Sequence, residues 1–151
     1  MTVGGETYTA IVAGGVWSVT VPADDVAALP QGPVAVTADV SNEGGTAAEQ
    51  ASNPITVDTV VPEIAITGPL AEDGVINAQE AGEDLVISGT TTGAEEGQEV
   101  TVTVGGVEYT TTVDADGSWS VTVPAADVAA LPQGPVDVTA DVNDAAGNPA
   151  E

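Results

Sequence analysis

Apolar and polar residues alternate along much of the chain, with Ile, Leu and Val at every other position and mainly Thr and Ser between them. In the second part of the chain the alternation runs through four segments, at 64–66, 85–87, 100–104 and 136–142. A period of two is typical of β-strands that bury one face. Turn-forming residues separate the segments: Gly105 and Gly106, Asp116 and Gly117, and the cluster Gly147, Asn148 and Pro149. The pattern predicts an all-β fold with about seven short strands, the number found in a two-sheet sandwich.

The alternation also places the tryptophans in the predicted core. Trp119 shares a strand face with Val121 and Val123, and the same spacing turns Trp17 inward. One segment, PAADVAALPQG at 124–134, has apolar residues three apart instead. We expect it to form a single helical turn that caps the sandwich.

A long internal repeat sets the module length. Residues 17–40 read WSVTVPADDVAALPQGPVAVTADV and residues 119–142 read WSVTVPAADVAALPQGPVDVTADV, so 22 of 24 positions match. The offset is 119 − 17 = 102 residues, which agrees with the roughly 100 residues of one sandwich module. In this register residues 1–58 are the C-terminal half of one module. Residues 59–151 are a module that lacks its final strand, the counterpart of 50–58.

Incomplete modules leave unpaired strand edges, and such edges recruit strands from elsewhere. Two explanations stay open. The sequence was cut from a longer array without regard to module boundaries, or the open halves complement one another by strand exchange between chains, which would build a filament.

Composition removes most catalytic chemistry. The sequence has no Lys, Arg, His or Cys, and its 24 Asp and Glu give a formal charge of −24. Serine, cysteine and Schiff-base enzymes therefore lack a necessary group, and zinc sites of His and Cys are excluded. A pair of carboxylates could still serve as the acid and base of a glycosidase, but one of them would need a shifted pKa in a cleft that holds a sugar. Aromatic side chains often line such a cleft, and the few in this sequence are explained as core residues. We expect no enzyme.

The same charge bears on partners. Nucleic acid and acidic membrane surfaces repel a chain without cationic side chains. No apolar run approaches the ~20 residues of a membrane span, and no leader opens the sequence, so we expect any export signal to lie outside it.

Six short motifs occur along the chain: D-T-x-x-P-E-I from Asp58, then D-G-V-I-N-A-Q-E, I-S-G-T, V-T-V-G-G, G-S-W-S-V-T-V-P and N-D-A-A-G-N. They resemble the bacterial Ig-like repeats of giant, type I secreted RTX adhesins of biofilms. The resemblance implies tandem immunoglobulin-like β-sandwich modules on the bacterial cell surface. In that family such repeats form a stalk between the membrane-retained end and the ligand-binding tip, with calcium at the module junctions.

The chain departs from the family at two places. The usual linker V-D-T-T-A-P is V-D-T-V-V-P at 57–62, which keeps Asp58 and Pro62. The loop at 41–46 reads SNEGGT where 143–148 reads NDAAGN, so the two modules need not bind an ion in the same way.

Calcium also follows from the chemistry of the residues. Carboxylates without cationic side chains repel one another, and a bound cation would offset this repulsion. Calcium takes six to eight oxygen ligands, and Asp, Glu, Asn and backbone carbonyls supply them. The candidate ligands are Asp58, Asp73, Asn77, Glu80, Asp114, Asp116, Asn143 and Asp144.

Topology divides these candidates. In an immunoglobulin-like sandwich the loops with Asp114, Asp116, Asn143 and Asp144 share one end with Glu95 and Glu96, and we expect the linker residue Asp58 beside them. The loop at 72–80 lies at the opposite end, toward another module. For any single acid, surface solubility and ordinary turn chemistry are an equally good explanation, and no D-x-D-x-D-G loop is present.

The sequence therefore predicts a structural extender repeat of a surface adhesin, with neighbouring modules of the same array as partners and calcium as the cofactor. A carbohydrate- or protein-binding module that acts through its acidic loops is the alternative. The near-identity of the repeats speaks against it, because a dedicated recognition surface is expected to differ between modules.

Overall fold

The computed structural model describes residues 1–150 and divides into two compact units, unit 1 (Met1–Thr59) and unit 2 (Val60–Glu151). Unit 1 contains short strands and one helix in chain order: β1 Thr2–Val3, β2 Glu6–Thr7, α1 Ala23–Ala27, β3 Gly32–Val34, β4 Val36–Ala38, β5 Ala51–Ser52 and β6 Ile55–Val57. The strands pair in two antiparallel sheets, with orders β2-β1-β4-β5 and β3-β6.

Unit 2 has longer strands and three short helical segments, in chain order: β7 Glu63–Ile66, α2 Ala71–Gly74, a 3-10 turn Glu80–Gly82, β8 Leu85–Thr92, β9 Glu99–Val104, β10 Val107–Thr112, β11 Ser118–Val123, α3 Ala125–Ala130 and β12 Val138–Val142. The strands form two antiparallel three-stranded sheets, with orders β10-β9-β12 and β11-β8-β7. The predicted all-β fold is confirmed.

The core of unit 2 lies between these two sheets. Most of its buried residues come from alternate positions of β8, β9 and β11, as the period of two requires: Ile87, Val100, Val102, Val104, Trp119, Val121 and Val123. Val113, Val128 and Val142 complete the buried core. Thr and Ser fill most of the outward positions of β8 and β11, and Val86 is an exposed exception on β8. The hairpin between β9 and β10 turns at Gly105 and Gly106, whose φ angles of 56° and 89° are those a tight two-residue turn needs.

Helix α3 confirms the predicted helical turn at 124–134. It begins after Pro124, which has no N–H to leave unpaired, and it buries Val128 in the core. Pro132 follows closely and prevents the helix from continuing. The equivalent residues of unit 1 form helix α1, but no residue of α1 is buried.

The prediction for 136–142 was wrong at its start, since Val136 precedes β12 and belongs to no strand. The counterpart of 134–136 in unit 1 is β3, which exists because it pairs with β6. No described segment of unit 2 takes the place of β6. Unit 2 therefore has the six strands β7–β12 among its described residues.

The prediction for Trp17 was also wrong. Trp119 is 1% exposed, whereas Trp17 is 47% exposed although 17–21 and 119–123 have the same sequence. In unit 2, β8 pairs with β11 and covers this strand. In unit 1 the segment 8–22 forms a single isolated bridge, between Ala13 and Val16.

Gly89 of β8 is paired directly with Trp119 of β11. A Cβ atom at Gly89 would collide with the carbonyl oxygen of Ala65 and with the indole of Trp119, so only glycine fits. The indole N–H of Trp119 is buried and has no hydrogen-bond partner among the described residues. Packing, not hydrogen bonding, holds this ring.

Candidate metal site

Three loops of unit 2 meet at one end of its sandwich: 93–98 after β8, 113–117 after β10 and 143–150 after β12. We call this region the loop end. Three hydrogen bonds join the loops. The N–H of Gly97 donates to the carbonyl of Val113 (2.8 Å), the N–H of Val113 donates to the carbonyl of Gln98 (2.9 Å), and the N–H of Ala145 donates to Oε2 of Glu95 (2.9 Å). The grouping predicted for Glu95, Asp114, Asp116, Asn143 and Asp144 is therefore found within unit 2.

Asp144 is the most enclosed carboxylate of the loop end, with 4% of its surface exposed. Its Oδ1 accepts the backbone N–H of Asn148 and its Oδ2 accepts the Nδ2 of the same residue, both at 2.8 Å. These donors, the side chain of Asn148 first, hold the pKa of Asp144 below its usual value, against the opposite effect of burial. Asp144 is thus a fixed negative charge.

The amide of Asn148 extends the same network. Its Nδ2 also lies 3.5 Å from the carbonyl oxygen of Val60, just before β7. The loop therefore ties the end of β12 to the start of unit 2. Carbonyl oxygens beside an ionised carboxylate are ligands that calcium accepts.

The loop at 113–117 holds a second pair of carboxylates. Asp116 accepts the hydroxyl of Ser118 at 2.6 Å and its N–H at 3.0 Å, and these bonds lower the pKa of Asp116. Asp114 lies 3.5 Å from the same hydroxyl. Since a hydroxyl has one hydrogen, the shorter contact takes it and Asp114 keeps free acceptor capacity. Both carboxylates are exposed.

Asn143, Glu95 and Glu96 complete the loop end, and all three are exposed. The backbone of Asn143 forms an isolated bridge with Pro149, which closes the loop. Glu95 is held in place by the N–H of Ala145.

Asp73, Asn77 and Glu80 lie at the other end of unit 2, as predicted. Their loop precedes β8 and packs beside α3, where Asp84 accepts the N–H of Ala125 (2.8 Å). Asn77 and Glu80 bond each other's backbone: Glu80 Oε2 accepts the N–H of Asn77 (2.9 Å), and Asn77 Oδ1 accepts the N–H of Glu80 (3.2 Å). This reciprocal pair resembles a capping box and closes the turn that leads into the 3-10 helix. Asp73 accepts the N–H of Val75, two residues ahead, at 2.8 Å.

Asp58 belongs to unit 1, where it is exposed and follows β6. The next residue is fixed, because the N–H of Thr59 donates to Oε1 of Gln31 (3.1 Å) and the Nε2 of Gln31 donates to the Thr59 hydroxyl (2.6 Å).

Within residues 1–150, no three acidic side chains converge as a set that could hold a metal ion. The carboxylates of Asp116 and Asp144 face backbone and side-chain donors of their own turns. Asn148 and Ser118 are the functional partners that the sequence reasoning missed. The spacings D-x-x-x-N at 144–148 and D-x-S at 116–118 could have shown them, since Asp commonly bonds the backbone a few residues ahead.

The comparisons with known proteins agree on one kind of domain. A family profile described as "Bacterial Ig-like domain" matches residues 64–151. None of the curated proteins matches the chain.

No helix in residues 1–150 is long and apolar enough to cross a bilayer.

Several solved structures resemble the chain. It is 37% identical, with a TM-score of 0.54, to the Ca2+-stabilised adhesin that helps an Antarctic bacterium reach out and bind ice; the match covers 98% of this chain and 36% of that one. It is 36% identical, with a TM-score of 0.54, to a 1.5-MDa bacterial ice-binding adhesin described for its retention at the host cell surface, over 99% of this chain and 48% of that one.

A third structure is a tetra-tandem repeat in the extending region of a large adhesion protein. The identity is 28% and the TM-score 0.53, and the match covers 83% of this chain and 31% of that one. The chain thus spans between 31% and 48% of these three solved chains.

Proposed function

Since the chain belongs to the bacterial Ig-like domain family, we propose that it is an extender repeat of a bacterial adhesin, located outside the cell at its surface. Its work is mechanical, with no catalysis of its own. The observation that carries this proposal is the 22-of-24 repeat on a β-sandwich fold. A stalk needs many equal units, whereas a binding tip needs a distinct surface.

The similarity of the chain to solved structures supports the same role. Its solved relatives are adhesins, and one of them is a tandem repeat of an extending region. The partners are then neighbouring modules of one array. Residues 1–58 act as the C-terminal half of one module and 59–151 as the next module without its last strand, with RTX-type adhesins of biofilms as the wider class.

Calcium at the module ends is the finer part of the proposal. At the loop end the ligands are Asp114, Asp116, Asn143 and Asp144, and Asp58 is a further ligand predicted from the sequence. Asp73, Asn77 and Glu80 offer oxygens at the opposite end. Three observations support bound calcium. The pKa of Asp144 is lowered in an enclosed position, the sequence supplies no cationic side chain, and one similar solved structure is a Ca2+-stabilised adhesin.

Bound calcium would reduce repulsion among the carboxylates and stiffen the chain. Ligand binding stabilises the folded state by mass action, by about 2.7 kcal/mol when the free ion is at 100 times its Kd. Thermal melting in calcium, in magnesium and in chelator tests this. We expect calcium to raise the midpoint of the wild-type chain, and small-angle scattering to show a larger maximum dimension with the ion.

A matched pair of variants locates the effect. Asp144→Asn should remove most of the calcium-dependent rise, whereas Asp137→Asn should keep it, because position 137 is exposed and its counterpart in unit 1 is Ala35. If calcium changes neither the melting midpoint nor the maximum dimension, the proposed calcium sites are wrong, while the proposed spacer role still stands. A glycan array or pull-down that gave a reproducible specific ligand would overturn the spacer role itself.

A further inference from the structure

The sequence contains two Asp-Gly pairs, Asp73-Gly74 in the loop between β7 and β8 and Asp116-Gly117 in the loop between β10 and β11. An aspartate that precedes glycine can react with the next backbone nitrogen, because glycine has no side chain to obstruct the approach. The reaction needs a neutral carboxyl group, whose oxygen leaves as water, and a backbone that is free to bring the nitrogen to the carboxyl carbon. The structure holds the two pairs in different ways.

The pair Asp116-Gly117 is held by β8. The carbonyl oxygen of Gly117 accepts the N–H of Thr91 at 2.7 Å and the Thr91 hydroxyl at 3.2 Å. The N–H of Gly117 donates to the carbonyl of Asp114 (2.9 Å), and this bond must break before the nitrogen can react. The hydroxyl and the N–H of Ser118 hold the pKa of Asp116 below its usual value, so the neutral carboxyl group is scarce.

The pair Asp73-Gly74 has its hydrogen bonds inside its own loop. The N–H of Gly74 donates to the carbonyl of Leu70 (2.6 Å), and Oδ1 of Asp73 accepts the N–H of Val75 (2.8 Å). Within residues 1–150, no hydrogen bond joins this pair to a strand. The loop can therefore change its backbone without breaking a sheet contact.

The backbone before this pair is strained. Ala71 and Glu72 have φ angles of 48° and 56°, which lie in the left-handed region that residues with a side chain rarely adopt. Such conformations raise the energy of the closed loop, so opening the loop relieves strain. In the other turn the positive φ of 80° falls on Gly117, for which it is unstrained. Asp73-Gly74 is thus the pair whose backbone opens more readily.

We propose that Asp73-Gly74 is a site of spontaneous isoaspartate formation, and that the contacts with β8 and Ser118 protect Asp116-Gly117 from the same reaction. The nitrogen of Gly74 forms a bond to Cγ of Asp73. The Cγ–OH bond breaks, and the hydroxyl leaves as water with the proton of the nitrogen, which gives a five-membered succinimide. Water then adds to the backbone carbonyl carbon of Asp73, the bond from that carbon to the nitrogen breaks, and the chain continues through Cγ.

Isoaspartate changes the loop that carries it. The backbone becomes one methylene longer, and the free carboxylate is attached at the Cα of residue 73, so the bond to the N–H of Val75 is lost in its present form. The reaction uses only the chain and water. It is therefore separate from the spacer role proposed above and does not depend on calcium.

Incubation of the full chain in chelator at mildly acidic pH, in parallel with the same chain in denaturant, tests the site. A methyltransferase specific for isoaspartate labels the product. Cleavage after glutamate places the two pairs on different peptides, since Glu80 and Glu108 lie between them. In the folded chain we expect Asp73 to be labelled roughly tenfold faster than Asp116. In denaturant the two rates should agree to within about threefold, because both aspartates precede glycine.

Two variants give the controls. Asp73→Glu should abolish the labelling of the first peptide, because the longer side chain cannot form the five-membered ring. Ser118→Ala should speed the labelling of Asp116 in the folded chain, because it removes the first cause of the low pKa of that carboxyl group. Equal rates at the two pairs in the folded chain would overturn the site. So would the absence of label on Asp73 over a period in which the denatured chain is labelled at both pairs.

Discussion

The hydroxyl of Tyr109 donates a hydrogen bond of 3.0 Å to a carboxylate oxygen of Asp127, and so joins β10 to helix α3. The same pair recurs in unit 1, where the hydroxyl of Tyr8 donates to Asp25 at 2.8 Å. The bond forms in both units although β8 covers only the second. It is thus a contact local to the segments that the two units share, and it does not require a strand paired as β8 is with β11.

The titration of Tyr109 tests this contact. Desolvation first, and then the hydrogen bond and the charge of Asp127, raise the pKa of Tyr109 above the ordinary value of 10. The stability that this shift contributes is present below pH 10 and is lost as the pH rises through the folded-state pKa. In a Tyr8→Phe background, Asp127→Asn should lower the pKa of Tyr109 toward 10 while desolvation keeps part of the shift. Ultraviolet absorbance at alkaline pH measures it, and an unchanged titration would contradict the bond.

Acid unfolding should depend on Asp144 and Asp116. Their hydrogen bonds lower both pKa values from the ordinary 3.8, so the stability they contribute is present above that pH and is lost as the pH falls through the folded-state values. In chelator, Asp144→Asn should flatten the fall in the free energy of unfolding between pH 4 and pH 2. Denaturant titrations across this range measure it.

Removing the donor gives the complementary result. Asn148→Ala takes away the first cause of the low pKa of Asp144 and moves the folded-state pKa toward 3.8, so the loss of stability with falling pH should be smaller and should end at a higher pH than in the wild type. Superimposable curves for the wild type and both variants would show that Asp144 does not govern the acid limb.

Gly89→Ala should destabilise unit 2, because the added Cβ would collide with the Ala65 carbonyl and the indole of Trp119. Overpacking of this kind costs about 1–3 kcal/mol. Gly82→Ala is the matched control, since a Cβ there meets nothing within 4 Å. Denaturant unfolding followed by Trp119 fluorescence, in a Trp17→Phe background, compares them. Equal midpoints for the two alanine variants would reject the close packing.

The two tryptophans should also differ in solution. Acrylamide should quench Trp17 more strongly than Trp119, because the first ring is 47% exposed and the second 1%. The single-tryptophan chains Trp119→Phe and Trp17→Phe separate the two signals. Equal quenching constants would mean that the ring of Trp17 is covered.

Much of unit 2 could be predicted from the sequence. The period of two in β8, β9 and β11 identified the buried valines, and the spacing of Val128 and Leu131 identified α3. The resemblance to Ig-like repeats of RTX-type adhesins is confirmed, as is the immunoglobulin-like fold. Trp17 was predicted wrongly because its local sequence is that of Trp119. The ring of Trp119 is buried because β8 pairs with its strand, and no described strand pairs with residues 17–21 in unit 1. A local pattern does not contain such a pairing.

The geometry of the candidate metal site could be predicted less completely from the sequence. Position along the strands correctly separated the loop of Asp144 from that of Asp73. The spacing of acids did not reveal that the amide of Asn148 and the hydroxyl of Ser118 bond these carboxylates, since such bonds depend on the turn that each loop adopts. Ligand identity at the loop end stays a prediction, as do the domain boundaries at 58 and 59.

The carboxylates of Asp144, Asp116 and Glu80 are all held by uncharged donors, N–H and O–H groups, in a chain without cationic side chains. Dissolved sodium chloride weakens side-chain ion pairs in most proteins, and in this chain it has none to weaken. It shortens the reach of the repulsion between acids to roughly 10 Å at 0.1 M. High ionic strength should therefore raise the free energy of unfolding of this protein, and low ionic strength should lower it.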